Sequence, residues 1–145
     1  MSRRTSIVKA LAEKLKTIDG TGTFKSNLFG NASANMKYWD EVNDFPCVYM
    51  AAGTEVREYH PSDFAWCYLN VALKIYAKGE DCGQLLEDVL EDVETVIHDN
   101  RTLVYDAGNG FETTEILITS ITTDEGLLTP YAIGEMNLQV RYALV

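Results

Sequence analysis

The sequence predicts an α+β fold: a single domain in which a mixed, mainly antiparallel β-sheet of about five strands packs against two α-helices. From Phe64 to Ala77 alternate residues are apolar, which is the period of a strand with one buried face. From Leu85 to Ile97 apolar residues recur at three- and four-residue spacing, which is the period of an amphipathic helix. A chain of 145 residues is long enough for one core and too short for two.

The N-terminal part of the chain predicts a helix followed by irregular structure. An apolar stripe runs along a helix from about Thr5 to Ile18, and the turn Asp19–Gly22 ends it. A short strand is predicted at residues 24–29. Residues 30–44 are polar and form a long loop, a kind of segment that is usually functional or mobile within a small domain.

Two neighbouring strands are predicted next, joined by the break at His60-Pro61. Residues 45–51 and 53–59 form the first, and the alternating stretch from Phe64 forms the second. At a rise of about 3.3 Å per residue, the second strand spans roughly 40 Å, more than a small sheet needs. We therefore expect part of this pair to overhang the domain.

After the second helix the sequence predicts further strands. Asn109-Gly110 is a strong hairpin signal. Residues 116–121 are apolar on both faces, which indicates a central strand. A second long loop, residues 123–134, precedes a closing strand in which polar and apolar residues alternate up to Leu144. The whole chain, residues 1–145, is thus one domain with long loops at 30–44 and 123–134.

The composition argues against adhesion to nucleic acid. The net charge is −10 at pH 7, whereas binding phosphates requires a surplus of Lys and Arg. The three cysteines have no metal-site spacing and predict buried thiols. No apolar run reaches membrane-spanning length and no signal-peptide core is visible, so we expect a protein made in the cytoplasm that makes no membrane contact.

The second helix could hold a metal ion. Glu87, Glu91, Glu94 and His98 lie one turn apart along it, and a small acidic metal-dependent enzyme is one hypothesis. Metal sites need ligands that converge from several elements, however, so a solvated acidic face is the favoured interpretation. That face consists of Glu87, Asp88, Glu91, Asp92 and Glu94, with no nearby Lys or Arg. No catalytic residue, cofactor or metal site is predicted.

Three segments carry side chains suited to protein contacts: an aromatic residue in the first long loop, a charged strand, and two leucines in the second long loop. Aromatic and aliphatic side chains in loops are typical of interfaces. The alternative is that these side chains fold back onto the domain. The candidate contact residues, for a subunit or tube interface, are Trp39, Glu55, Arg57, Glu58, Tyr59, Leu127 and Leu128.

Several segments in a fixed order resemble the tail terminator (tail completion) proteins of long-tailed bacteriophages. The resemblance covers nearly the whole chain, and the order of the segments carries most of it. The segments are the first helix, Phe45–Tyr49, Gly53–Arg57, Leu69–Tyr76, Leu85–Val89, Asp92–Glu94, Ile121–Gly126, Pro130 and Gly134–Tyr142.

The resemblance implies a structural virion protein with no catalytic residues. It implies a homohexameric ring on the head-proximal end of the tail tube, which ends tube polymerisation and provides the surface on which the head docks; the isolated protein can be a monomer. The implied partners are further copies of the chain, the tail tube protein and a head-completion or neck protein. DNA passes through the ring without specific binding. The alternative of the same type is a head-completion or head-to-tail joining ring of the neck.

Overall fold

The computed structural model describes residues 1–144. Two helices and seven strands are described there, together with a short 3-10 turn at Trp39–Glu41. In chain order the helices and strands are α1 (Arg3–Leu15), β1 (Ala32–Ser33), β2 (Cys47–His60), β3 (Phe64–Lys78), α2 (Cys82–Asp99), β4 (Val104–Asp106), β5 (Phe111–Glu112), β6 (Glu115–Thr123) and β7 (Tyr131–Leu144).

Five strands form one sheet in the order β1-β2-β3-β7-β6. The short β1 runs parallel to β2, and the other neighbours are antiparallel. The two long strands β3 and β7 pair from Ala65–Leu144 to Lys78–Tyr131, so they form the centre of the sheet. The predicted α+β fold with a mixed, mainly antiparallel sheet and two helices is therefore confirmed.

Both helices contribute to one core on the same face of the sheet. The alternate residues of β3 from Ala65 to Ala77 are buried, as the two-residue period predicts, and Tyr76 on the other face is buried as well. Helix α1 packs over β1 and β2 and beside β4, whereas α2 packs over β3, β7 and β6. Ser2 begins α1, since its hydroxyl accepts a hydrogen bond from the Thr5 N–H at 3.1 Å.

The strand at residues 115–123 is an edge strand, so its predicted central position is wrong. Strand β7 pairs with β3 on one side and with β6 on the other, so β6 is left at the edge of the sheet. Ile116 is buried under the helices, but Leu117 and Ile121 are 45% and 46% exposed. Leu117 faces the open side of the sheet, whereas the register shift at Ile118–Ser120 returns Ile121 to the helix side, where it lines a groove with α2.

One member of the predicted solvated acidic face is buried. Asp92 is 2% exposed and accepts hydrogen bonds from the backbone N–H groups of Lys25 and Ser26 and from the Ser26 hydroxyl. The Lys25 ammonium also pairs with Glu91 at 2.8 Å. The acids of α2 therefore do have a basic neighbour, which lies far away in sequence and was not visible as a local pattern.

The irregular segments differ from those that the sequence predicts. Residues 24–29 form no strand and contribute only the isolated bridge between Asp19 and Asn27. The predicted 30–44 loop contains β1 and the 3-10 turn, and the loop between β6 and β7 covers only 124–130. Strand β3 is paired along its length by β2 and β7, but the outer strands β1 and β6 do not reach the β2–β3 turn. The overhang is thus limited to a three-strand tip.

Candidate interaction surfaces

The candidate contact residues lie at the two opposite ends of the sheet. The β2–β3 turn and its flanking residues 55–66 form what we call the hairpin end. The loops 36–45 and 124–131 form what we call the loop end, where Tyr131 at the start of β7 pairs with Lys78 at the end of β3. The length of β3 separates the ends by roughly 45 Å at the usual rise per strand residue.

At the hairpin end, three of the four predicted strand residues form one hydrogen-bonded row. Glu55, Arg57 and Tyr59 are two residues apart, so they share the helix-facing side of β2. The Arg57 Nε donates to a Glu55 oxygen at 2.6 Å, and an Arg57 terminal nitrogen lies 3.5 Å from the Tyr59 hydroxyl. The hydrogen bonds that the guanidinium donates to Tyr59 and Glu55 raise the pKa of Arg57.

The Glu55 carboxylate belongs to the interior of the hairpin end. Its side chain is 5% exposed, against 38% for Arg57. The Tyr142 hydroxyl donates to the other Glu55 oxygen at 2.5 Å, and burial together with this bond raises the pKa of Tyr142. Glu55 therefore holds Arg57 and Tyr142 in place, and the exposed part of this row is Arg57 with Tyr59, which is 71% exposed.

Glu58 lies on the opposite, open face of the sheet. Its carboxylate is 2.7 Å from the His60 ring nitrogen, and both side chains are about half exposed. Val56 shares this face and is 60% exposed. Phe64 and Trp66 follow on β3, with ring centroids 5.0 Å apart. Sequence reasoning did not select Val56, although the alternation along β2 placed it opposite Arg57.

At the loop end the structure brings Trp39 beside the second loop. The Trp39 ring lies 5.6 Å from the Tyr131 ring, which also contacts Phe45 at 5.8 Å. Trp39 remains 42% exposed, and Leu127 and Leu128 are 84% and 36% exposed. These side chains do not fold back into the core. Tyr38, 72% exposed, belongs to the same surface and was not among the selected residues, though its place next to Trp39 in a polar loop was a usable signal.

The sheet also has two unpaired edges within residues 1–144. The outer side of β2 pairs with β1 only at Val48 and Tyr49, so its edge from Met50 to His60 has no neighbouring strand. The outer side of β6 has no neighbouring strand along its whole length. Unpaired edges present backbone N–H and C=O groups that can pair with another chain. Each edge strand contains a register shift, at Ala52–Glu55 in β2 and at Ile118–Ser120 in β6.

The acidic helix α2 was also a candidate for a metal site. No three His, Cys, Asp or Glu side chains in the described part of the chain come close enough to hold a metal ion, so Glu87, Glu91, Glu94 and His98 do not form such a group. An open groove of about 480 Å³ between the N-terminus and β4 has no histidine or cysteine in its lining. The three cysteines are free and buried. No described helix is both long enough and apolar enough to cross a membrane.

Comparison with known proteins identifies the family. A family model described as "Bacteriophage Tail Tube Terminator Protein" matches residues 1–144. The chain belongs to the bacteriophage tail tube terminator family. The resemblance noted in the sequence is therefore confirmed, and the chain is a structural protein of the phage tail.

A relative and a solved structure agree with this assignment. The "Tail tube terminator protein p142" of Escherichia phage T5 is 38% identical over 152 residues, covering 98% of this chain and 94% of that protein. A chain in the structure "Virion of native gene transfer agent (GTA) particle" superposes with a TM-score of 0.66 at 10% identity, covering 99% of this chain and all of that one. At that identity the second match shows a shared fold only.

Proposed function

We propose that six copies of this chain form a ring that caps the head-proximal end of the tail tube, ends tube polymerisation and provides the surface on which the head docks. The proposal rests on one observation joined to the family assignment: the single chain has two free sheet edges of different structure. Unpaired edges of this kind can pair with another chain. Six is the number that the family resemblance implies.

The two edges suit a closed ring. In a ring each subunit uses two different lateral faces, and the contact closes by rotation. Because β2, β3, β7 and β6 alternate in direction, β6 of one copy placed beside β2 of the next would run antiparallel to it. Addition of a strand to a free edge supplies main-chain hydrogen bonds without a deep pocket. Bulges in both edge strands bend them locally.

The two ends of the sheet supply the two axial faces of the proposed ring. A cap has to bind the last tube ring on one side and present a surface on the other that recruits no further tube ring. The loop end carries the exposed apolar side chains of Trp39, Leu127 and Leu128, whereas the hairpin end carries charged side chains, Arg57 and Glu58, beside the exposed Tyr59 and Val56. Surfaces this different cannot bind the same partner equally well.

The candidate residues then have distinct roles. Arg57, Glu58 and Tyr59 contact a neighbouring subunit or the tube at the hairpin end, and Glu55 positions Arg57 from within. Trp39, Leu127 and Leu128 contact the protein on the other side. One axial partner is the tail tube protein, and the other is a head-completion or neck protein. The net charge of −10 lets DNA pass through the ring without binding to it.

The capping role is tested by particles assembled without this chain. If it terminates the tube, its removal gives tails longer than normal under the electron microscope, and supplying the chain restores their length. Tails of normal length that fail to join heads would refute capping and favour a joining ring of the neck. Binding of the purified protein to assembled tubes or to head connectors distinguishes the same two roles.

Variants at the two ends of the sheet test which end contacts the tail tube and which contacts the head side. Trp39→Ser combined with Leu127→Ser removes exposed apolar surface at the loop end, and Tyr59→Ser does so at the hairpin end. We expect one variant to give overlong tails and the other to give capped tails that do not join heads. If both variants behave as wild type in each assay, the two ends are not the axial contact surfaces.

A further inference from the structure

The β2 edge of the molecule carries a basic groove. Lys9, Glu13 and Lys16 on α1 line it together with residues 32–35 at β1, which lies outside β2. Lys16 pairs with Glu13 at 2.8 Å, with side chains 42% and 70% exposed. Lys9 is exposed and has no ion-pair partner among residues 1–144. This edge therefore presents positive charge that the single chain does not neutralise.

The β6 edge carries an acidic groove. Glu87, Glu91 and Glu94 on α2 line it, with the exposed Ile121 of β6 on the opposite side. Glu91 is engaged by Lys25, whereas Glu87 and Glu94 have no ion-pair partner within the described chain. The groove thus places carboxylates without an ion-pair partner beside an exposed apolar side chain, along the unpaired outer edge of β6.

The two grooves match in spacing and direction. Lys9 and Lys16 are seven residues apart, as are Glu87 and Glu94, so each pair spans about 10 Å along its helix. Helix α1 begins at the hairpin end, where the Arg3 guanidinium donates to the Ala143 carbonyl at 2.9 Å. Helix α2 begins at the loop end, after β3. In two neighbouring copies of the same orientation, α1 of one copy therefore runs antiparallel to α2 of the other. This direction sets Lys9 opposite Glu94 and Lys16 opposite Glu87.

We propose that the occupant of each groove is the other groove of a second copy: the α1–β1 groove of one subunit receives the α2–β6 groove of the next, through Lys9–Glu94 and Lys16–Glu87 ion pairs. This inference rests on the proposed ring and specifies its lateral joint. Opposite charges on opposite edges of one chain favour head-to-tail contact and oppose contact between two like edges. The joint is therefore heterologous, as ring closure requires.

A zero-length carbodiimide cross-linker applied to purified particles tests the contact directly, because it joins only amines and carboxylates that touch. Within one copy the two grooves lie on the outer sides of the two helices, so a link between them comes from two copies. We expect Lys9–Glu94 and Lys16–Glu87 peptides by mass spectrometry, beside the internal pairs Lys25–Glu91 and Lys74–Glu135, both 2.8 Å apart, as positive controls. Recovery of the controls without either groove link, or links from Lys9 to another virion protein, would overturn the proposal.

Charge exchange gives a second, reciprocal test. Lys9→Glu with Lys16→Glu places like charges across the joint. We expect at least about a tenfold loss of the ladder, by which we mean the series of cross-linked oligomers formed from neighbouring subunits of the ring. Glu87→Lys with Glu94→Lys has the same effect, and all four substitutions together restore the ladder. Lys14→Glu and Asp99→Lys, exposed positions that line neither groove, are the matched controls.

The outcomes distinguish this joint from the capping role. Absence of rescue in the fourfold variant, with normal urea unfolding of each variant, refutes the joint. Tail length is scored separately: overlong tails in the absence of the chain support capping even if the joint is wrong. Conversely, rescued rings on tails whose length never depended on the chain would support the joint and refute capping.

Discussion

Replacing Asp92 should destabilise the fold far more than replacing its neighbour Glu91, although both belong to the same acidic helix. Asp92 is 2% exposed and accepts from the Lys25 N–H at 2.9 Å and the Ser26 N–H at 2.7 Å. Asp92→Ala removes the acceptor of both backbone groups. The Ser26 N–H and the Ser26 hydroxyl are the two buried donors, and the Lys25 N–H is half-buried. Each buried donor left without a partner costs about 1–3 kcal/mol, so the variant loses roughly 2–6 kcal/mol of unfolding free energy.

The matched control is Glu91→Ala. Its salt bridge with Lys25 joins side chains that are 51% and 57% exposed, and exposed pairs contribute at most about 1 kcal/mol. Urea unfolding followed by circular dichroism measures both variants. The unfolding free energy falls by about 2 kcal/mol for each molar of urea. The urea concentration at the unfolding midpoint should therefore fall by about 1–3 M for Asp92→Ala and by less than about 0.5 M for the control. Equal shifts in the two variants would refute the role given to Asp92.

Three further predictions concern stability. Arg57→Glu places a second carboxylate beside the buried Glu55 and should lower the unfolding free energy by about 1–3 kcal/mol, more than Arg57→Gln does; equal losses in urea melts would contradict this. A Cβ on Gly134 would lie 3.2 Å from a Leu86 methyl group under α2, so Gly134→Val should cost about 1–3 kcal/mol by thermal unfolding and Gly134→Ala less; wild-type stability of the valine variant would show that α2 can shift. Burial raises the pKa of Tyr76 from 10.0 to about 12, so the unfolded chain loses that proton first and stability falls as pH rises through this range. Tyr76→Phe should flatten that part of the stability curve, and an unchanged slope would exclude Tyr76 as the titrating group.

The elements of the fold could be predicted because their signals are local. The alternation from Phe64 to Ala77 and the three- and four-residue spacing from Leu85 to Ile97 depend on neighbours within one strand or helix. The Asn109-Gly110 turn also appeared as predicted, between β4 and β5, with Gly110 at a φ of +69°. A left-handed backbone conformation there suits glycine, so two adjacent residues were enough to place it.

The candidate surfaces could be predicted only in part. Apolar residues in polar loops made Trp39 and Leu127 candidate contact residues, with folding back onto the domain as the alternative, and the structure leaves both accessible. The charged strand was harder to interpret, because alternation along β2 could not show that Glu55 points toward Tyr142. That partner lies 87 positions away in the chain, and the bond removes Glu55 from the exposed surface.

By itself the sequence determined the helices, the long strands and the family, because periodicity, turn residues and segment order are properties of the chain in one dimension. Tertiary structure decided which strands are edges, since that depends on the pairing of β3 with β7, two segments separated by all of α2, β4, β5 and β6. It also decided that Asp92 is buried, and that Lys9 and Lys16 lie on one edge of the molecule whereas Glu87 and Glu94 lie on the other. These are relations between distant residues, and only the folded chain brings their atoms to the distances at which charge and hydrogen bonding act.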